Sequence, residues 1–196
     1  MKISLVQENP VVGDIDGNAS MARDYILENE SFGSDLIVFS ELFITGYPPE
    51  DLLLREDFLI SALKSVENLS SYIKKSKVLI GLPTIEEGER YNSAALIDRS
   101  GIIQIYNKHV LPNYIEFDEK RYFSHGNSKN YFQMNDIKIG LSICEDIWDE
   151  GFLDLQKENN LDLLVNLSAS PFTISKKKER DHVFAKVSEK LNIPLI

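Results

Sequence analysis

Three residues able to do covalent chemistry stand at the ends of apolar runs. The only cysteine, Cys144, closes a stretch in which Ile137, Ile139, Leu141 and Ile143 alternate with Lys138, Gly140 and Ser142. That period of two marks a strand with one buried face. Leu36 to Phe39 reads as a strand buried on both faces and runs into Ser40 and Glu41, while Ile102 to Tyr106 runs into Asn107 and Lys108. Ligands of open α/β sheets bind beyond the carboxyl ends of the strands. A thiol, a carboxylate and an ammonium gathered there suffice for acyl transfer. Cys144 would be the nucleophile, Glu41 its general base, and Lys108 the stabiliser of thiolate and tetrahedral oxyanion. Cys144 shares the parity of Gly140 and Ser142, at an expected strand-to-helix junction, where helix amides would lower its pKa.

Each residue also has an ordinary structural role. A free cysteine is often a small buried hydrophobe, Glu41 a solvated or capping acid, and Lys108 a surface lysine. Glu41, however, directly follows an apolar strand, where an unpaired charge is costly. Lys108 opens an aperiodic segment reaching Asn130 that carries Tyr114, Phe117, Tyr122 and Phe123. A segment of that length predicts an ordered loop over a pocket. From it Glu119 could hold the Lys108 ammonium. Ser170 and Lys176 flank a loop that leaves the buried run Leu161 to Leu167 and are candidates to bind a substrate carboxylate. A Cys144–histidine pair is the alternative nucleophile arrangement. His109, His125 and His182 are too scattered for a metal site, and no G-x-G-x-x-G, Walker A or G-x-S-x-G motif is present.

The elements that must position these residues follow from periodicity. Strands are predicted over Lys2 to Gln7, Leu36 to Phe39, Lys77 to Leu82 (ended by Pro83) and Ile137 to Ile143, over Leu161 to Leu167, and from Ile193 onward. Tyr91 to Asp98 and Ile102 to Asn107 form a hairpin across Arg99, Ser100 and Gly101. Helices are predicted over Asn18 to Glu30 behind an Asn cap, Asp57 to Lys74, from Cys144 to about Asn159, and Lys176 to Leu191. This alternation predicts an α/β sandwich with a mixed sheet.

With 21 basic and 31 acidic residues, a net charge of −10 excludes a basic footprint for nucleic acid. No apolar run is long enough for a signal peptide or membrane span. One cysteine permits no internal disulfide, so a soluble cytoplasmic protein is the default expectation. The chain stops at Ile196 inside an apolar run, which suggests a strand with a continuation.

Three segments carry a family likeness. They are Phe39-Ser40-Glu41-Leu42 with Thr45, Gly46 and Tyr47, Lys108 to Tyr114, and Ile143-Cys144-Glu145-Asp146-Ile147-Trp148. In this order they resemble the nitrilase, or carbon-nitrogen hydrolase, superfamily. The resemblance implies an α-β-β-α sandwich with mixed sheets and a triad of Glu41 (base), Lys108 (oxyanion stabiliser) and Cys144 (nucleophile). Within the superfamily, Leu111 to Phe123, Cys144 to Trp148 and Asn166 to Phe172 look like the glutaminase domain of glutamine-dependent NAD+ synthetases.

That likeness implies that Tyr114 and Ser170 contact L-glutamine and that Lys176 occupies a position that is arginine in some relatives. It implies a glutamine amidohydrolase working through a cysteine thioester, with no cofactor in this domain. Ammonia would then reach an ATP- and Mg-dependent synthetase domain that amidates deamido-NAD+. Residues 1–196 are expected to form one hydrolase domain incomplete at its C-terminal end, with the synthetase domain absent from this chain. By the same likeness it is expected to form a homo-oligomer, while the charge balance and the shortness of its apolar runs lead us to expect no nucleic-acid or membrane partners. The alternatives are a stand-alone amidase or ω-amidase, and a non-catalytic oligomerisation scaffold.

Overall fold

The computed structural model describes every residue except Glu116, Ser128, Phe172, Thr173 and Ser175, and Lys176 by its backbone alone. Apolar residues at i, i+3 and i+4 spacing make the first two helices. α1 (Ile15–Ser31) buries Ile15, Ala22 and Ile26, and α2 (Glu56–Leu69) buries Leu59, Ala62, Val66 and Leu69. Both pack on a five-stranded sheet in the order β1 (Ile3–Leu5), β2 (Leu36–Val38), β3 (Lys77–Glu86), β4 (Glu89–Asp98), β5 (Gly101–Asn107). Pairing is parallel from β1 to β3 and antiparallel from β3 to β5. A second sheet joins β6 (Tyr131–Met134) antiparallel to β7 (Ile137–Ile143), and β7 parallel to β8 (Leu163–Leu167).

Strand alternation sorts the core into two layers. Ile37, Phe39, Val78, Ile80, Leu82, Ala95 and Ile97 face α1 and α2. Residues of the other parity, Leu36, Val38, Leu79, Ala94, Leu96 and Tyr106, cluster with Ile139, Leu141 and Ile143 of the second sheet. The same cluster takes in Phe152 and Leu153 of α3 (Glu150–Glu158) and Val187 of α4 (Lys176–Leu191). The result is an α-β-β-α sandwich with mixed sheets. Among the described residues no helix is long and apolar enough to cross a membrane.

Several local expectations are corrected. The cap of α1 is Asp14, whose side chain accepts from the Gly17 amide. Asn18 is buried and instead bonds the backbone of Val11 and Ile44, which pins the segment leading away from β1. β3 does not end at Pro83 but runs through it to Glu86. Pro83 faces Asn92, whose carbonyl accepts from the Lys108 amide on the β5 side, so this cross-strand pair needs no proline N–H. β6, for which the sequence pattern predicts no strand, directly follows the aperiodic segment that ends at Asn130 and pairs with β7.

The helix expected from Cys144 is split: residues 144–148 form a 3-10 turn, and α3 begins at Glu150 behind an Asp149 cap. After α4 the chain returns beside β8, where Leu195 bridges Leu164 in parallel.

Candidate active site

Glu41 sits in a tight turn directly beyond β2. The turn closes against β3, where the Phe39 amide donates to the Leu79 carbonyl and the Ile44 amide to the Gly81 carbonyl. A Cβ on Gly81 would fall 2.4 Å from both the Leu42 amide nitrogen and the Ser40 carbonyl oxygen, so only glycine allows this approach. Leu42 takes a left-handed φ of 48°, and the bend turns Glu41 inward, where it is 1% exposed. Lys108 continues β5, equally buried, and its ammonium reaches back across the end of the sheet.

Lys108 Nζ donates to Glu41 Oε1 at 2.8 Å and to both oxygens of Glu119 at 2.9 Å. Glu119 comes from the 3-10 turn Glu119–Arg121 inside the long loop and also accepts from the Tyr47 hydroxyl at 3.0 Å. Asn92 Nδ2 on β4 donates to Glu41 Oε1 at 2.8 Å, and the Ala169 amide donates to Glu41 Oε2 at 3.0 Å. Oε1 therefore has two donors and Oε2 one, which leaves Oε2 the freer proton acceptor.

Cys144 lies in the second sheet's layer, in the turn after β7, with a φ of 44°. A non-glycine residue held there stores of order 1–3 kcal/mol of strain. Its Sγ is 3.3 Å from Ser170 Oγ, which accepts from Ser168 Oγ at 3.3 Å. The turn 168–170 thus touches Glu41 through its Ala169 amide and Cys144 through Ser170. A cleft of about 240 Å³ opens onto this junction, lined by Glu8, Pro10, Ser40, Glu41, Tyr47 and Ser170. A second hollow of about 300 Å³ has Tyr47 and Glu119 in its wall.

Electrostatics separate the roles of these groups. Burial pushes the Cys144 thiol up to about 12; the Glu41 charge adds to this, while Lys108, Ser170 and Ser168 oppose it. The lowered thiol pKa expected from helix amides is therefore overturned: the following element is a single 3-10 turn, and desolvation dominates. Burial would neutralise Lys108, but the charges of Glu41 and Glu119 prevail and raise its pKa, so it stays an ammonium. Burial raises Glu119 to about 7, with Lys108 pulling down and Glu41 pushing up.

The structure thus brings Glu41, Lys108, Glu119 and Cys144 into one junction, with Ser170 on the thiol. Tyr114 is half-exposed, and its hydroxyl donates to both oxygens of Glu145, the residue after Cys144, at 2.9 Å. The Lys176 side chain, a candidate substrate ligand, lies outside the described residues. The His109 ring packs on Tyr106 and Phe152, and His125 Nδ1 is 2.9 Å from the His109 carbonyl oxygen. Among the described residues no three of His, Cys, Asp and Glu are grouped as metal ligands are. Sequence reasoning gave no role to Asn92, Tyr47 or the Ala169 amide. The available signal was polarity inside an apolar strand: Asn92 and Ser93 are fully buried in β4.

Residues 2–187 match the carbon-nitrogen hydrolase family. The chain belongs to that family. Glutamine-dependent NAD(+) synthetase of Acinetobacter baylyi is 39% identical over 196 residues, covering 100% of this chain and 36% of the relative. That of Thermotoga maritima is 40% identical over 179 residues, covering 90% of this chain and 31% of the relative. The chain therefore spans about a third of the length of these curated relatives. The solved glutamine-dependent NAD+ synthetase of Acinetobacter baumannii, in complex with ADP, superposes with a TM-score of 0.94 at 34% identity, covering 99% of this chain and 37% of the other. An amidase from Nesterenkonia sp. has the same fold, with a TM-score of 0.87 at 19% identity over 100% of this chain and 74% of its own.

Proposed function

We propose that this chain is the glutamine amidohydrolase part of a glutamine-dependent NAD+ synthetase. The observation that carries the chemistry is a neutral buried thiol beside a carboxylate–ammonium–carboxylate cluster. The substrate is taken from relatives that share 39–40% identity over 90–100% of the chain.

Cys144 Sγ attacks the side-chain amide carbon of glutamine as its proton passes to Glu41, whose Oε2 has the spare acceptor capacity. Burial keeps the thiol protonated at neutral pH, so Glu41 must take its proton for the sulfur to attack. The Lys108 ammonium, fixed between two carboxylates, stabilises the oxyanion. The C–N bond breaks, Glu41 returns its proton to the leaving nitrogen, and ammonia departs, leaving a thioester on Cys144. Glu41 then takes a proton from water as that water attacks; the C–S bond breaks, the sulfur regains the proton, and glutamate is released. Glu119 keeps Lys108 oriented and charged, and Tyr114 and Ser170 contact the glutamine. Ammonia then serves an ATP- and Mg-dependent amidation of deamido-NAD+, carried out by the part of the relatives' length that this chain does not span.

The test is mass spectrometry of the full-length protein after exposure to an electrophilic glutamine analogue, paired with glutaminase assays of Glu41→Gln. The label is expected on the Cys144 peptide, and the variant should lose ~10² to 10⁴ in rate, the usual contribution of a general base. A label elsewhere, or an unimpaired Glu41→Gln enzyme, contradicts the proposal.

A further inference from the structure

The junction is built from two sheets. Glu41, Asn92 and Lys108 come from the five-stranded sheet, whereas Cys144 and the turn 168–170 come from the three-stranded one. The separation between sulfur and ammonium therefore depends on how the two sheets are held at this end, and apolar packing alone is non-directional. The bond from the Ala169 amide to Glu41 is one polar connection across that boundary. A second is centred on Asp146, a fully buried carboxylate that takes no part in the chemistry above.

Asp146 stands two residues after Cys144 in the 3-10 turn. Its Oδ2 accepts from the Ile143 amide at 2.8 Å, immediately before the nucleophile, and from the Tyr106 hydroxyl on β5 at 2.5 Å. Its Oδ1 accepts from the amides of His109 at 3.0 Å and Val110 at 2.8 Å, immediately after Lys108. One carboxylate thus gathers donors from both sides of Lys108 and from the strand end that carries Cys144. Burial raises its pKa, opposed by the Tyr106, Ile143 and Val110 donors and by Lys108. Four donors on two oxygens fill the acceptor capacity of an ionised carboxylate and suit nothing else of its size.

We infer that Asp146 is a positioning residue that sets the distance and direction of Cys144 relative to Lys108. This rests on the reaction proposed above and acts through those two residues, without contact to substrate. Asparagine in its place would present an N–H₂ to two donors, whichever way the amide turned. With the amide nitrogen on the Oδ2 side, the Tyr106 hydroxyl can reverse and accept, but the Ile143 amide loses its partner. With the nitrogen on the Oδ1 side, the two amides after Lys108 lose theirs. Either way one of the two reacting elements is released.

The experiment compares Asp146→Asn and Tyr106→Phe with the parent full-length protein in glutamine hydrolysis, per folded molecule as judged by near-UV circular dichroism. A displacement of ~1 Å can cost ~10²-fold in rate, so Asp146→Asn should lower kcat by ~10 to 10²-fold with little change in KM. Tyr106→Phe removes one of the four bonds and should lower kcat by a smaller factor, again at constant KM. A purely structural role would lower the melting temperature and leave kcat per folded molecule unchanged; that result overturns the inference. If Asp146→Asn fails to fold, Tyr106→Phe decides, and an unchanged kcat there overturns it equally. A parent protein without glutaminase activity would instead overturn the proposed reaction.

Discussion

Replacing Lys108 by methionine removes the charge and keeps most of the side-chain length, so it isolates the electrostatic contribution of the ammonium. Its two carboxylate partners are held 2.8 and 2.9 Å from Nζ, with essentially no exposure for Glu41 and 6% for Glu119. The nearest oxygens of Glu41 and Glu119 are thus no more than about 5.7 Å apart, the two contacts laid end to end. With an effective dielectric of ~20, two unit charges at that separation repel by about 3 kcal/mol. Breaking one side of a buried ion pair typically costs ~3–5 kcal/mol, so the two figures agree.

The pH dependence of this deficit has a definite sign. Glu119 has its folded-state pKa raised to about 7 even with Lys108 present, so the stability linked to its protonation is full below the unfolded value and fades as pH rises through 7. Without Lys108 the folded-state pKa rises further, since the ammonium is the contribution that pulled it down. The variant keeps losing stability above pH 7, where the parent has already levelled off. Urea unfolding followed by the fluorescence of Trp148 should therefore show a deficit of ~3 kcal/mol or more at pH 8.5, shrinking by at least ~1 kcal/mol at pH 6, since each unit of pKa shift is worth about 1.4 kcal/mol. Glutaminase activity should fall by ~10² to 10³, the cost of losing one oxyanion donor. A variant as stable as the parent at pH 8.5, or a deficit independent of pH, would refute the reasoning.

Two further outcomes are expected. With its pKa near 12, Cys144 is a thiolate in only about one molecule in 10⁴ at pH 8, so iodoacetamide should alkylate it slowly, about tenfold faster per pH unit up to pH 10; an inflection below pH 8 in the alkylation profile would show that the thiol is already activated at rest. Gly81→Ala would set a methyl group 2.4 Å from backbone atoms of Ser40 and Leu42, so it should cost ~1–3 kcal/mol and reduce glutamine hydrolysis by displacing Glu41; undiminished stability and turnover would mean that β3 does not position the turn.

Much of the scaffold was legible because it depends on local pattern. The apolar run Leu36 to Phe39 reports a strand buried on both faces, while the alternation over Ile137 to Ile143 and the helical spacing of Leu59, Val66 and Leu69 each report an apolar face; the two strands formed close to their predicted bounds, whereas the helix stops at Leu69 instead of the predicted Lys74. Pro83 misled because its effect depends on which neighbour its nitrogen faces, and cross-strand register is not a local property. The strand Tyr131–Met134 was missed for a related reason: four residues carry too little periodicity to be seen without the partner that completes them.

The sequence by itself determined that a thiol, two carboxylates and an ammonium stand at strand ends or in one long loop of an α/β chain, because residue type and period are local. Only the tertiary structure decided what those groups are to one another. Glu41 and Lys108 are 67 positions apart and share a hydrogen bond of 2.8 Å, and Glu41 reaches the Ala169 amide across 128 positions. The same packing buries the thiol and drives it toward its neutral form, the reverse of what its place at a strand end suggested. Charge interactions and desolvation act through space, and folding brings those distances into being.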